Sequence, residues 1–86
     1  MQEKKEQIKI EFSEDLKNTY SNVVFMNYNQ SEIVVDFGRI LPAIPVATVY
    51  SRVILTPQHT KRLMQLLDRN ITKYEQKFGE ISLKKV

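Results

Sequence analysis

An abrupt change of hydrophobic period at Thr56 constrains this chain more than any other feature. Before it, apolar residues alternate at Val49, Val53 and Leu55, with the two-residue period of a half-buried strand. The Thr56 hydroxyl can accept from the free N–H groups of a first helical turn, and Pro57 suits the first helical position because it lacks an N–H. The sequence therefore predicts a strand that passes directly into a helix.

The residues after Thr56 have the pattern of one long amphipathic helix from Pro57 to about Phe78. At about 1.5 Å per residue this helix is about 33 Å long. Gly79 follows it as an expected left-handed C-cap. Apolar residues recur at spacings of three and four, which is typical of a helix with one face on a core: Leu63, Leu66, Leu67, Ile71, Tyr74 and Phe78.

The first 55 residues predict a sheet. Gly38 is expected either to end the third strand or to mark a bulge, and Pro42 and Pro45 exclude regular structure from the next loop. A compact turn at residues 29–31 predicts a hairpin between the second and third strands. The four expected strands are Ile8–Phe12, Val23–Tyr28, Glu32–Phe37 and Ala47–Leu55. The expected fold class is α+β, a four-stranded antiparallel meander followed by one long C-terminal helix packed on one sheet face.

Composition is that of one small globular domain. The 86 residues are 42% hydrophobic and 27% charged, and none is cysteine, which suits a reducing compartment. We expect a flexible lead-in over residues 1–6, a single ββββα domain over 7–81 and a tail over 82–86. The charged N-terminus lacks the apolar run of a signal peptide, and no stretch approaches the ~20 apolar residues of a membrane span. A cytoplasmic protein with no membrane association is the expectation.

Reaction chemistry is poorly supported by the residues present. His59 is the single histidine and sits in the first helical turn, where a cap or surface role is its simplest interpretation. No serine has the flanking glycines of a nucleophile elbow. Two glycines in the whole chain cannot build a glycine-rich phosphate cradle. We therefore expect no catalytic, cofactor-binding or metal-binding residues, and no enzyme.

The second face of the sheet is too apolar to be left in water. If the helix covers Ile33, Val35, Phe37, Val49, Val53 and Leu55, the opposite face carries Val34, Tyr50 and Ile54. Val24, Met26 and Tyr28, or in the other register Val23 and Phe25, join them. Large exposed apolar patches mark interaction surfaces, and small domains often depend on partner subunits. We expect a homodimer or a dimer of dimers, with these candidate interface residues: Val34, Asp36, Tyr50, Arg52 and Ile54.

Asp36 and Arg52 are two charged residues inside otherwise apolar strands. If the third and fourth strands pair through the proline loop, Asp36 falls near Tyr50 or Arg52. A cross-strand ion pair is the simpler interpretation. The more specific interpretation is a polar contact across a subunit interface, where a desolvated ion pair would set the register of the two subunits.

Positive charge is concentrated in the C-terminal part of the chain. Residues 1–55 have a net charge of −1 and residues 56–86 a net charge of +4. Four basic residues fall on one solvent-facing edge of the helix: Arg62, Arg69, Lys73 and Lys77. Such an edge is usually solvated, but it is also a candidate contact for an anion or a nucleic acid.

Several motifs in this order resemble the bacterial domain of unknown function 3467 family. They are Tyr20-Ser-Asn22, Val34-Val-Asp-Phe37, Leu41-Pro42, Ser51-Arg-Val-Ile-Leu-Thr-Pro-Gln-His59, Lys61-Arg-Leu63, Asn70-Ile-Thr-Lys-Tyr-Glu75 and Phe78-Gly-Glu-Ile81. The resemblance covers about residues 7–81, with Thr60 standing where a small apolar residue is expected. It implies no activity and no catalytic residues. The order of four strands and a helix is also similar to that of the export chaperone SecB, a dimer of dimers.

Three functional hypotheses follow from these observations. The leading one is a non-enzymatic, self-associating protein-interaction or adaptor module that binds a second copy and an unidentified protein partner. The second is a nucleic-acid-binding protein that uses the basic helix edge. The third is a SecB-like holdase chaperone, which rests on topology alone.

Overall fold

The computed structural model describes residues 7–84, so the expectations for residues 1–6 and 85–86 lie outside the described residues. These residues form an α+β fold with one antiparallel sheet of three strands, in which the second strand is central and pairs with both of its neighbours. One helix follows the third strand. The elements are β1 (Val23–Tyr28), β2 (Ile33–Ile40), β3 (Ala47–Leu55) and α1 (Pro57–Phe78).

The hairpin between β1 and β2 is confirmed, and Asn29 closes it. Its side-chain oxygen accepts from the N–H groups of Ser31 at 2.8 Å and Glu32 at 3.0 Å. Its own N–H donates to the Glu32 carbonyl at 3.0 Å. An asparagine that satisfies the turn in this way fixes the register, which pairs Tyr28 with Ile33 and Met26 with Val35.

Gly38 marks a bulge rather than the end of its strand. The strand expected to stop at Phe37 continues through Gly38 to Ile40. Phe37 pairs with Ser51 and Gly38 with Val49, so Tyr50 is an extra residue on β3. A Cβ at Gly38 would lie 2.6 Å from the Thr48 carbonyl oxygen, so only glycine permits this approach of the two backbones.

The predicted helix bounds and N-cap are confirmed. The Thr56 side-chain oxygen accepts from the His59 N–H at 3.1 Å, and Pro57 opens the helix. At the other end the Gly79 N–H donates to the Glu75 carbonyl at 2.9 Å. Gly79 has the expected positive φ of 101°, but its ψ of 165° is extended, so the predicted left-handed cap is wrong in that angle.

The predicted first strand is absent from the described residues. Ile8, Ile10 and Phe12 lie in irregular chain without a ladder partner, and they are 84%, 76% and 79% exposed. Alternation shows that a segment has two faces suited to a sheet, but strand formation also requires a neighbouring backbone. The sheet is therefore three-stranded within residues 7–84, and the four-strand order that gave the similarity to SecB is not present there.

The helix does not enclose a core against the sheet. Among the described residues the buried positions are Val35, Asp36 and Gly38, all on the central strand, and no helix residue is buried. The radius of gyration is 16.6 Å, whereas a compact chain of this length has about 12 Å. The expectation that one sheet face is packed under the helix is therefore wrong for the isolated chain.

Gly38→Ala tests the close approach at the bulge. The added methyl group meets backbone rather than a flexible side chain, so we expect a loss of about 1–3 kcal/mol in the free energy of unfolding. Urea unfolding at one fixed protein concentration measures it. A variant as stable as the natural chain would contradict the argument from the close contact.

Candidate functional site

The first candidate surface is an apolar groove of about 680 Å³ between the sheet and the start of the helix. Pro57, Thr60 and Lys61 lie along the helical wall with three apolar side chains, Leu63, Met64 and Leu67. We call the sheet wall the groove face; it is lined by Val24, Met26, Ile33, Val35, Phe37 and Leu55. An open apolar groove of this size is the usual form of a binding site.

The groove face settles the register that the sequence left open. Val24 pairs with Phe37 and Met26 with Val35, so these β1 residues share the groove face. Val23 and Phe25, which the other register would place there, therefore lie on the opposite side of the sheet. Val49 was expected on the helix side of the sheet with Val53 and Leu55. The bulge shifts its register, so that it pairs with Gly38.

The second candidate surface is the opposite side of the sheet. Val34 pairs with Ile54, and Asp36 pairs with Arg52 on one side and Phe25 on the other. We call this surface the pair face, and it consists of Phe25, Val34, Asp36, Arg52 and Ile54. Four of the five predicted interface residues thus lie together as two adjacent cross-strand pairs. Their role in an interface stays a prediction.

Asp36 and Arg52 form a two-pronged ion pair across β2 and β3. Arg52 Nε donates to Asp36 Oδ1 at 2.7 Å, and Arg52 Nη2 donates to Oδ2 at 3.0 Å. The Asp36 side chain is 10% exposed, whereas that of Arg52 is 65% exposed. Parallel N–H···O bonds of this kind add geometric specificity as well as energy, so the pair aligns the two strands.

The ion pair also shifts the titration of both groups. Hydrogen bonds from Arg52 are the main cause that holds the pKa of Asp36 below its ordinary value of 3.8. Partial burial opposes this shift, and the positive charge of Arg52 adds to it. The same hydrogen bonds raise the pKa of Arg52. The carboxylate is therefore ionised at neutral pH although the residue is buried.

Tyr50, the fifth predicted interface residue, stands in the bulge beside the pair face. The guanidinium carbon of Arg39 lies 4.5 Å from the centroid of its ring, within the range of a cation–π contact. Sequence reasoning did not single out Arg39. The signal available was its position directly after Gly38, because a bulge redirects the neighbouring side chains.

Ser21 and Asn22 are structural residues whose contacts the sequence reasoning did not foresee. The Ser21 hydroxyl donates to the Gly38 carbonyl at 3.0 Å. The Asn22 side chain accepts from the Ile40 N–H at 2.8 Å and donates to the Ile40 carbonyl at 3.0 Å. These bonds extend the β1–β2 ladder with side-chain groups and give a physical reason for the Tyr20-Ser-Asn22 motif.

The helix presents two further exposed surfaces. Beyond the groove its apolar stripe continues through Ile71, Tyr74 and Phe78, which are uncovered in the single chain. The predicted basic residues Arg62, Arg69, Lys73 and Lys77 are all exposed on the neighbouring edge. Within the described part of the chain, none of the four forms an ion pair with a carboxylate. Their contact with an anion or a nucleic acid stays a prediction.

The described residues contain no group of three or more histidine, aspartate and glutamate side chains placed to hold a metal ion. No helix among residues 7–84 combines the length and the apolar content that crossing a bilayer requires.

The sequence of this chain matches the model of a protein family. The family model described as "Protein of unknown function (DUF3467)" matches residues 1–83. The chain belongs to this family. The resemblance seen over residues 7–81 is thereby confirmed, and the matched region is slightly longer. DUF3467 is described by no activity, so membership assigns none. No curated protein and no solved structure matches the chain.

Asp36→Asn tests the linkage between the ion pair and pH. Because the folded state lowers the pKa of Asp36, the pair stabilises the fold above pH 3.8, and this contribution is lost as pH falls through the folded value. We expect unfolding stability measured between about pH 5 and pH 2 to depend less on pH in the variant. Asp68→Asn, on the exposed helix surface, is the matched control and should keep the natural profile. Identical pH profiles for all three proteins would contradict this role.

Proposed function

We propose that this DUF3467 chain is a non-enzymatic, self-associating interaction module. A second copy covers apolar surfaces that a single chain leaves open. The observation that carries the proposal is the mismatch between the chain's mass and its exposed area. Support for the non-enzymatic part comes from the sequence, which has a single histidine, no cysteine and no nucleophile motif.

The exposed area is far larger than that of a folded monomer. The chain exposes 8996 Å², whereas a compact monomer of this mass exposes about 5,300 Å². Residues 7–22 and 79–84, which are mostly exposed and belong to no strand or helix, account for part of the excess. The regular elements show the same deficit, because no residue of α1 is buried and both outer strands are mostly exposed.

A partner subunit has enough surface to cover. A standard stable interface buries about 800 Å² on each partner, well below the ~3,700 Å² by which this chain exceeds a compact monomer. The pair face suits such an interface, since Phe25, Val34 and Ile54 surround the ion pair with apolar area. Arg52, mostly exposed in one chain, would be covered there, and the fixed geometry of its pair with Asp36 would favour one alignment of the subunits.

Ile54→Glu tests the pair face. A carboxylate beside Val34 must lose its hydration on association, so we expect the dimer dissociation constant to rise by at least about tenfold, equivalent to 1.4 kcal/mol. Sedimentation equilibrium measures the constant, and circular dichroism checks that α1 still forms.

Gln58→Glu is the matched control, because it adds the same charge on the exposed first turn of α1. An unchanged dissociation constant for Ile54→Glu would remove the pair face from the interface and leave the groove and the helix stripe as candidates.

The basic helix edge supports a second candidate function, nucleic-acid binding. Arg69, Lys73 and Lys77 stand four residues apart, so their charges repel one another along the helix. A phosphate backbone would relieve this repulsion. The exposure of these side chains, without carboxylate partners among residues 7–84, is the observation that favours it.

Arg69→Ala tests this candidate. If the edge contacts phosphates, affinity for duplex and single-stranded DNA should fall steeply with salt, and the variant should lower the log–log salt slope by about one unit. Fluorescence anisotropy over a salt series measures the slope. Lys61→Ala removes an equal charge from the groove wall of α1, outside the basic edge, and should leave the salt slope unchanged. Binding that does not respond to salt, or no binding, would exclude this function.

A further inference from the structure

The segment of residues 7–12, which we call the arm, is a strand sequence without a strand partner. Its apolar residues Ile8, Ile10 and Phe12 alternate with Lys9 and Glu11, so one side of the extended arm is apolar and the other polar. The arm makes no hydrogen bond with the rest of residues 7–84. It holds three large apolar side chains in solvent, which is unfavourable for an isolated chain.

Strand β1 offers the arm a free edge. It lies at one side of the sheet, and it contains neither charged residues nor proline. The Asn29 N–H donates to the Glu32 carbonyl, and antiparallel pairs alternate along the ladder. The N–H groups of Val24, Met26 and Tyr28 therefore point away from β2, toward the open edge.

The other edge, β3, is less suited to accept a strand. Its extra residue at Tyr50 interrupts the regular spacing of donors and acceptors, and bulges are a device by which proteins blunt an exposed edge. Strand β1 has no such interruption. Its 6 residues equal the arm in length, so the two can pair along their whole extent.

The groove gives the apolar side of the arm a place to lie. Val24 and Met26 of β1 form part of its sheet wall, and Leu63 and Met64 form part of its helical wall. A strand added beside β1 with its apolar side toward the helix extends this wall by one strand. The polar side, with Lys9 and Glu11, then faces the opposite surface of the sheet.

We infer that the arm of one chain pairs with the free edge of β1 in a second copy, and that its apolar side chains close the groove there. Two copies exchange arms in this way, so each sheet gains the fourth strand that its sequence predicts. The inference rests on the proposed self-association and identifies the segment and edge that carry it.

A second copy is the favoured donor because the structure leaves the arm exposed and unpaired with its own sheet. The bonds from Ser21 and Asn22 fix residues 21 and 22 to the Gly38–Ile40 end of β2. They do not involve residues 7–12, which form no hydrogen bond with the sheet of their own chain. Reciprocal exchange also covers apolar area on both chains, as the surface excess of the single chain requires.

Isotope-filtered NMR of the full chain tests the exchange. Labelled and unlabelled protein are mixed after unfolding and refolding, and contacts between chains are recorded separately from contacts within one chain. We expect contacts between chains that join the arm to Val24 and Met26. If the arm contacts β1 only within one chain, the inference is overturned and self-association stands. The same holds if the sample is dimeric but the arm contacts β1 neither within one chain nor between chains. A monomeric sample at the same concentration overturns both.

Amide exchange on the same protein gives a second measurement. Pairing protects the Val24, Met26 and Tyr28 amides, and Ile10→Asp should speed their exchange by about tenfold or more. Lys9→Asp places the same carboxylate on the polar side of the arm and should leave these rates within about threefold of the natural chain. Unprotected amides in the natural dimer, or equal effects of the two variants, would overturn the inference.

Discussion

Apolar surface on both sides of β2 that one chain cannot cover is the constraint on which the rest of this structure depends. The central strand pairs with both neighbours and supplies the buried positions Val35, Asp36 and Gly38 among the described residues. Neither the groove side nor the pair face is closed by another layer. Since apolar burial is the main favourable term in folding, this open surface supports the proposal that a second copy supplies further contact area.

The ion pair of Asp36 and Arg52 contributes alignment to this apolar surface more than it contributes stability. A buried pair often adds little net stability, because desolvation offsets the attraction between the charges. Its two-pronged geometry instead favours one register of β2 and β3, beside a bulge where Gly38 lets the backbones approach closely. Both observations fit a role in which the ion pair orients a partner on the pair face. An apolar surface alone permits many alignments of a partner.

Local signals predicted the elements of this fold well. The cap at Thr56, the proline after it and the three-and-four spacing determine α1, and Asn29 determines the hairpin. Gly38 was identified as a bulge candidate because glycine inside a strand often marks close backbone approach. The strand order placed Asp36 near Tyr50 or Arg52, and the structure pairs it with Arg52. The contacts of Arg39, Ser21 and Asn22 could not be predicted, because they depend on the exact backbone path at the bulge and at the end of the β1–β2 ladder.

The errors share one physical origin. The pattern at Ile8, Ile10 and Phe12 records a capacity to pair, and the helix stripe records a capacity to pack, but neither identifies the partner. The strand pattern and the helix stripe were both expected to find their partners within one chain. Within residues 7–84 of the single chain, the strand pattern is unpaired and the helix stripe is unpacked. A pattern selected for contact with a second subunit is indistinguishable in the sequence from one selected for an internal core.

The most direct measurement is urea unfolding of the natural chain over a hundredfold range of protein concentration, with the mass followed by sedimentation equilibrium. If folding and association are coupled, the sample is a dimer or a larger assembly at micromolar concentration, and the unfolding midpoint rises with concentration. A folded monomer whose midpoint is independent of concentration would contradict the account.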